Sequence, residues 1–341
     1  MIEKNSGVNF KVLVRCYTFN HASFITDAMN GFCMQQTDFP FICTIVDDAS
    51  IDGEQDVMNK YVNENFDLED TNIVRNEKTN DYVMTFARHR TNPNCYFATY
   101  FLKYNHRSIH KAKINYLNKW TEHVDYISIC EGDDYWTDPL KLQKQVDFLE
   151  NHSDCILCSH DFKVYSENSK SFIFNSSYRY YNLPITISLD NFFDGDWIQT
   201  LTIMYRNCLH YSVIPREKYK HYRDRIFHYY LLKNGIGCLL PDVMGVYRKH
   251  YRGVLSGRKA EDNYYIYISI ALDIYHIENE PRALRLLRRH ALGLFNYRWN
   301  HCQRKDLISD FRYLLTNAPF RTTLGLLVSF IKSLIKNKLS F

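Results

Sequence analysis

The chain has 341 residues, a formal net charge of +4 at pH 7, and 45% hydrophobic and 23% charged residues. This length suits one large domain, or a domain with a substantial appendage, and the composition is that of an ordinary globular protein. The small net charge gives little support to nucleic acid as a partner.

The cysteines and the N-terminal residues predict the compartment. Ten cysteines are scattered along the chain, several of them inside apolar runs, which is typical of buried thiols in a reducing compartment. The C-x-x-C at 155–158 has no second pair, so we do not expect a zinc site. The first residues contain no apolar signal region, and we therefore expect a cytoplasmic protein.

Strand and helix signals alternate through the first half of the chain. Apolar runs predict strands at 11–15, 41–46 and 72–74. Helical spacing of apolar residues predicts helices around 24–32 and 57–62. This order predicts an α/β fold with a doubly wound, mostly parallel sheet and helices on both faces.

Residues 76–123 interrupt the alternation with a mixture of aromatic and basic residues. One interpretation is a basic, aromatic flap over an anionic ligand. The other is an inserted helical hairpin with a solvated charged face, which we favour because charges on such insertions usually lie at the surface.

The stretch after residue 126 carries the strongest functional signal. An apolar run at 126–130 ends in three carboxylates, Glu131, Asp133 and Asp134. A helix is predicted to begin just beyond them, at Asp138-Pro139. These acids would lie at the carboxyl end of a strand, where open α/β sheets bind ligands. A divalent cation carrying substrate phosphates would offset their mutual repulsion.

A second acid pair, Asp47-Asp48, follows the second predicted strand. We expect both groups of acids at the carboxyl edge of one sheet.

Further strands and a helix are predicted in the middle of the chain, and helices dominate its end. Strands are predicted at 201–205, 236–240 and 243–247, with a helix at 224–232. Beyond about residue 260, helices are predicted at 264–274, 283–295, 307–315 and 324–335. We expect a catalytic domain at 1–258, with the insertion at 76–123, and a helical region at 259–341.

The last segment, 321–341, is basic and contains no acid. Its apolar run is far too short to span a bilayer. One interpretation is an amphipathic helix that contacts the anionic inner face of a membrane. The other is a terminal helix that packs on the rest of the protein.

The motifs together resemble those of the family 2 glycosyltransferases, enzymes with the GT-A fold of nucleotide-diphospho-sugar transferases. The matching stretches run in family order over roughly residues 10–255. They are Val12-Leu13-Val14 with Phe19-Asn20-His21, Ile45-Val46-Asp47-Asp48-Ala49-Ser50, Glu131-Gly132-Asp133-Asp134-Tyr135-Trp136 and Tyr247-Arg248-Lys249-His250. Within the family, the chain resembles enzymes that build bacterial surface polysaccharide. The resemblance implies an inverting transfer of sugar from a nucleotide-diphospho-sugar to a saccharide or lipid-linked acceptor.

The resemblance also implies which residues bind the donor. Asp48 would accept a hydrogen bond from the nucleotide base, and an acceptor-only carboxylate suits the imide N–H of uracil. The alternative for Asp48 is a capping acid in a turn. Tyr17, Phe19 and Asp133 are the other positions expected to contact the nucleotide.

Metal and base roles follow from the same resemblance. Asp133 and Asp134 match the family's metal and diphosphate motif, which implies Mn²⁺ or Mg²⁺, and His250 is a candidate further ligand. Asp224 lies eleven positions before Gly235, which matches the family's layout for the general base. The alternative for Asp224 is an exposed acid at a helix end.

Two other functions fit part of the sequence. A sugar nucleotidyltransferase typically has a glycine-rich loop after its first strand, and residues 19–23 contain no glycine. A binding protein that kept the fold and lost the chemistry would not need the acids at 48, 133 and 134.

Overall fold

The structure is a computed structural model, and it describes residues 8–173, 185–195, 198–208, 214–251, 253 and 257–339. The strands are β1 Val12–Thr18, β2 Phe41–Asp47, β3 Phe66–Asp67, β4 Arg75–Lys78, β5 Tyr82–His89, β6 Cys95–Leu102, β7 Tyr126–Ile129, β8 Tyr135–Trp136, β9 Cys155–Ser166, β10 Ser171–Ile173, β11 Ile185–Ile187, β12 Met204–Arg206 and β13 Ile236–Lys249. The helices are α1 Ile25–Cys33, α2 Glu54–Asn65, α3 Asn118–Thr121, α4 Lys141–Asn151, α5 Leu189–Phe192, α6 Asp224–Leu232, α7 Ala260–Glu278, α8 Ala283–Asn300, α9 Arg304–Asn317 and α10 Phe320–Leu339.

The described strands form one mixed sheet with a parallel centre. Strands β7, β1, β2 and β6 are adjacent and parallel. On one face, apolar side chains of α1, α2 and α4 share a core cluster with alternate residues of β1 and β2, which are Val12, Val14, Cys16, Phe41, Cys43 and Ile45. On the other face, Trp120 of α3 stacks on Phe86 and donates a hydrogen bond to Tyr100. The predicted α/β fold with a mostly parallel sheet is confirmed.

The second half of the sheet contains antiparallel pairs. Strand β12 runs antiparallel to both β7 and β9, and β13 runs parallel to β9. The runs predicted at 236–240 and 243–247 are one strand, β13, because a bulge between Leu240 and Val243 bends it without ending it. Near the end of β13, Gly245 pairs with Trp136 of β8.

Two expectations from the sequence were wrong. Residues 72–74 lie mostly in a turn, and the strand that follows β2 in the sheet is β6. The helical-hairpin interpretation of 76–123 fails because this stretch contains β5 and β6, and every residue of β6 is buried. Its aromatic residues are therefore largely sheet core, while its basic residues lie in β5 and just after it as well as in the segment after β6.

The chain divides into two compact units. The first contains the chain up to Ile187 together with 198–208 and Leu231–Lys249. The second contains 188–195, 214–230 and the chain from His250 onward. The predicted C-terminal helices are present as α7 to α10. Within the second unit, Arg298 of α8 binds Asp310 of α9 and Tyr265 of α7, at 3.1 and 2.9 Å.

In the part of the chain that the structure describes, no helix is both long and apolar enough to cross a membrane.

A fully buried lysine lies beneath the acidic motif. Lys141, the first residue of α4, is 0% exposed. Its Nζ lies 3.8 Å from the centroid of the Trp136 ring and donates hydrogen bonds to Ser128 and Gln145. Burial lowers the pKa of Lys141 to about 7. The ammonium form is therefore disfavoured in the folded protein.

We expect Lys141 to make the stability depend on pH. Because its folded pKa is depressed, the unfolded chain binds more protons between pH 7 and the ordinary lysine pKa. The free energy of unfolding should then rise with pH through this window, by up to roughly 1.4 kcal/mol per pH unit. Denaturant unfolding of Lys141→Met should show a flatter dependence. Lys144→Met, a more exposed lysine of the same helix, should keep the wild-type slope, and parallel curves for all three proteins would refute the assignment.

Candidate functional site

The acidic segments predicted at one sheet edge do lie together. Strand β1 is parallel to β2 and to β7, and Thr18 pairs with Asp47. The loops beyond the strands are joined by backbone hydrogen bonds, from Asp48 N to Thr18 O at 3.0 Å and from Gly132 N to Tyr17 O at 3.1 Å. Both acidic segments therefore lie beside the end of β1.

Close packing at this edge explains a glycine in the acidic motif. A Cβ atom on Gly132 would lie 2.3 Å from Oγ1 of Thr18. This is far inside van der Waals contact, so the turn that carries Glu131 and Asp133 can approach β1 only with glycine at this position.

Asp48 is buried, and its carboxylate holds the loop that follows β6. Oδ1 accepts from the backbone N–H of His106 at 2.7 Å. Oδ2 accepts from the backbone N–H of Arg107 at 3.2 Å and from Nζ of Lys113 at 2.8 Å. Lys113 also lies over the Tyr17 ring, 5.2 Å from its centroid. The sequence alone did not indicate that Tyr17 and Asp48 share Lys113 as a partner.

The neighbouring acid, Asp47, shapes the turn after β2. Its Oδ2 accepts from the backbone N–H of Ser50 at 3.1 Å and from the side chain of Gln55. Burial raises the pKa of Asp47. Ala49 in this turn has φ of 60°, a left-handed conformation that costs a non-glycine residue about 1 kcal/mol.

The two adjacent aspartates of the acidic motif have different surroundings. Asp134 is 4% exposed, and its Oδ1 accepts from the backbone N–H of Arg248 at 2.8 Å. Burial and the charge of Asp133 raise the pKa of Asp134. Asp133 is only partly buried, and its Oδ2 lies 3.8 Å from Nε2 of His21. Asp133 and His21 are thus placed to offer ligands to one metal ion.

Arg248 fixes the end of β13. Its guanidinium binds Asp27 of α1 at 2.6 Å and Glu167, just beyond β9, at 3.0 Å. The same group lies over the rings of Phe24 and Tyr135. The backbone amide that binds Asp134 is therefore held by contacts on several elements.

A buried glutamate that sequence reasoning missed joins the loops after β1 and β2. Glu54, the first residue of α2, is 0% exposed. Its Oε2 accepts from the backbone N–H of His21 at 2.9 Å and from Oγ of Ser50 at 2.7 Å, and its Oε1 binds Oγ1 of Thr18. Burial raises the pKa of Glu54 to about 7. The sequence indicates this residue only as an acid in the first turn of a helix, where the helix dipole favours negative charge.

The roles of three further predicted site residues, like those of the residues above, remain predictions. Phe19, the first residue after β1, is 40% exposed. Asp224 is the first residue of α6 and belongs to the second unit. His250 directly follows the last residue of β13. Trp136 is a core side chain whose Nε1 donates to the carbonyl of Leu201 at 2.9 Å.

Comparison with known sequences finds relatives of low identity. No family model matches the sequence. The uncharacterized proteins Rv1520 of Mycobacterium tuberculosis and Mb1547 of Mycobacterium bovis are each 28% identical over 242 residues. These residues are 70% of this chain, and the match spans only 58% of the length of each relative.

Solved structures of Staphylococcus aureus TarS are similar to nearly the whole chain. TarS 1–349 in complex with UDP-GlcNAc has a TM-score of 0.57 and 18% identity, over 92% of this chain and 83% of TarS 1–349. The complex of the same fragment with UDP has a TM-score of 0.55 over 92% and 82%. The protein therefore has the GT-A, Rossmann-like fold, while the resemblance to family 2 stays a prediction.

Asp48→Asn should loosen the loop after β6. The asparagine keeps the volume but loses the charge and places an NH₂ group against donors. Charge-assisted hydrogen bonds contribute about 1.5–3 kcal/mol, so we expect hydrogen exchange at His106 and Arg107 to accelerate about tenfold or more. Asp52→Asn is the matched control, because Asp52 binds the backbone of Ala22 and Glu54. Unchanged exchange in Asp48→Asn would contradict the role of this carboxylate.

Proposed function

We propose that the protein is a metal-dependent, inverting glycosyltransferase that uses a nucleotide-diphospho-sugar, with UDP as the nucleotide. The observation that carries the proposal is the convergence of Asp48 and Asp133 on the end of β1. Asp48 lies among groups suited to a nucleotide, and the partly buried Asp133 lies beside the imidazole of His21. TarS, which has the same fold, was solved with UDP-GlcNAc and with UDP.

The donor set suits the proposed metal. A carboxylate oxygen from Asp133 and an imidazole nitrogen from His21 are ligands that Mn²⁺ accepts, and Mg²⁺ accepts the carboxylate. His250 remains the further ligand predicted from the sequence. A bound ion would supply positive charge for the departing nucleoside diphosphate. Asp134 remains the second acidic ligand predicted from the sequence, and its Oδ1 also accepts from the backbone N–H of Arg248 in β13.

The residues around Asp48 are proposed to bind the nucleotide. Tyr17 and Phe19 offer aromatic surface for the base, and Lys113 offers a cation. Both oxygens of Asp48 already accept hydrogen bonds from the loop after β6. A uracil bound to Asp48 would therefore share this carboxylate with His106, Arg107 and Lys113, or displace them.

The proposed activation of the acceptor depends on Asp224. We propose that this carboxylate takes the proton from the acceptor hydroxyl as it attacks the anomeric carbon. The acceptor is a saccharide or a lipid-linked oligosaccharide, as expected for surface polysaccharide synthesis. A sugar nucleotidyltransferase would release pyrophosphate instead, and a binding protein would show no turnover.

The test combines a donor panel with one variant. We expect release of nucleoside diphosphate from a UDP-sugar, dependent on Mn²⁺ or Mg²⁺ and abolished by a chelator. Asp224→Asn should lower transfer by about 10² to 10⁴ while UDP binding is retained. Asp262→Asn, which alters an exposed acid in the first turn of α7, should transfer at the wild-type rate. Turnover that survives the chelator would refute the metal dependence.

A surface on α10 supports location at a membrane. One face of this helix packs within the second unit, where Phe330 contacts Phe295 and Trp299. The other face exposes an apolar stripe at helical spacing, Leu324, Val328, Ile331 and Ile335, each at least 45% exposed. Residues 321–341 include Arg321 and Lys332 and no acid, so we propose an anionic membrane as the occupant.

Vesicle flotation tests this surface. The full chain should float with phosphatidylcholine vesicles that contain phosphatidylglycerol, less so at high salt because screening weakens the attraction. Replacing Leu324, Val328 and Ile331 together by Gln should reduce binding about tenfold or more, since apolar burial is lost. Ile308→Gln with Leu315→Gln removes exposed apolar residues of α9 and should leave binding unchanged. Equal loss in both variants would indicate that the stripe has no special role.

A further inference from the structure

A chain of side-chain hydrogen bonds leads from Glu54 to the edge of the proposed metal site. Oε1 of Glu54 binds Oγ1 of Thr18. Oγ1 of Thr18 lies 3.2 Å from Nδ1 of His21. The other ring nitrogen of His21, Nε2, lies 3.8 Å from Oδ2 of Asp133.

The donors around Glu54 set the direction of this chain. Oε2 accepts from the backbone N–H of His21 and from Oγ of Ser50. The Ser50 hydroxyl already accepts from the backbone N–H of Asn20 at 2.8 Å, so its proton is available for Glu54. Oγ1 of Thr18 donates its proton to Oε1 of Glu54.

A threonine hydroxyl has one proton. Since Thr18 donates that proton to Glu54, its oxygen is left to accept from Nδ1–H of His21. The neutral imidazole then carries its lone pair on Nε2, on the side of Asp133. Metal-ligating histidines commonly donate their other N–H to such a partner, which fixes the tautomer and the ring orientation.

We propose that Thr18 and Glu54 are positioning residues that preset His21 as an Nε2 metal ligand beside Asp133. This inference rests on the proposed metal site and adds two residues that position one of its ligands. A metal-bound Nε2 needs no rearrangement of the ring, because the proton already resides on Nδ1. The same hydrogen bonds hold the loop after β1 against the start of α2.

Two variants change these hydrogen bonds without removing His21. Thr18→Val keeps the β-branched shape and removes the hydroxyl. In Glu54→Gln, we expect the amide oxygen to accept from His21 and Ser50, as Oε2 of Glu54 does. The NH₂ group then lies against Thr18. Thr18 would then accept from Gln and donate to Nδ1, which would move the ring proton to Nε2. Thr18→Ser, which keeps the hydroxyl, is the matched control.

The first measurement is Mn²⁺ binding by calorimetry or by electron paramagnetic resonance, which needs no turnover. We expect Thr18→Val and Glu54→Gln to weaken binding about 10- to 100-fold, as second partners of metal ligands do. His21→Ala should weaken it at least as much, and Thr18→Ser should bind as the wild type does.

The second measurement is ¹⁵N NMR of the histidine rings in the metal-free protein at pH 8, with the His21 signals identified by their loss in His21→Ala. We expect the Nδ1–H tautomer in the wild type and in Thr18→Ser, and the Nε2–H tautomer in Glu54→Gln. If the variants bind Mn²⁺ as tightly as the wild type and keep its tautomer, the inference is wrong while the proposed function stands. If the wild type itself binds no Mn²⁺, both fail.

Discussion

Buried carboxylates at the carboxyl edge of the parallel strands are the constraint on which the rest of the site depends. Asp47, Asp48, Glu54 and Asp134 are all nearly inaccessible to solvent. Burying a charged group without partners costs several kcal/mol, so each carboxylate requires donors at fixed positions. The fold supplies these donors mostly from neighbouring loops, and the acids thereby determine where the loops lie.

This constraint joins five segments of the chain, most of them far apart in sequence. Glu54 joins the loop after β1 to the turn after β2, and Asp48 joins that turn to the loop after β6. Asp134 joins the acidic motif to the end of β13. A site built this way is organised before any ligand arrives, because the partners of each acid are already in place. The exception is the loop held by Asp48, whose hydrogen bonds a nucleotide base would have to share.

The sequence predicts those parts of the fold that depend on local patterns. Strands β1 and β2 and helix α6 were predicted closely, since apolar runs and helical spacing reflect burial directly. Residues 76–123 were misread because aromatic residues of β6 stand close in sequence to basic residues of the following loop. A pattern averaged over such a stretch resembles a charged insertion, although the strand itself is entirely buried.

The site was predictable as a location and much less as a set of contacts. Acids at the carboxyl ends of parallel strands in one sheet lie at one edge, so the topology predicted where Asp48 and Asp133 lie, while their roles stay predictions. Glu54 and Lys113 were missed as partners, because their contacts join residues separated by 33 to 65 positions. Such long-range hydrogen bonds leave no periodic signal in the chain.

The acidic motif shows why neighbouring residues of one type can have separate tasks. Asp133 and Asp134 are adjacent in one turn. The side chain of Asp133 is partly exposed beside His21, while that of Asp134 is buried against β13. Burial and the neighbouring charge of Asp133 raise the pKa of Asp134. The same burial makes it a good structural acceptor for a backbone amide. In the proposed cation site Asp133 is therefore the more exposed acid, while Asp134 also ties the acidic motif to the end of β13.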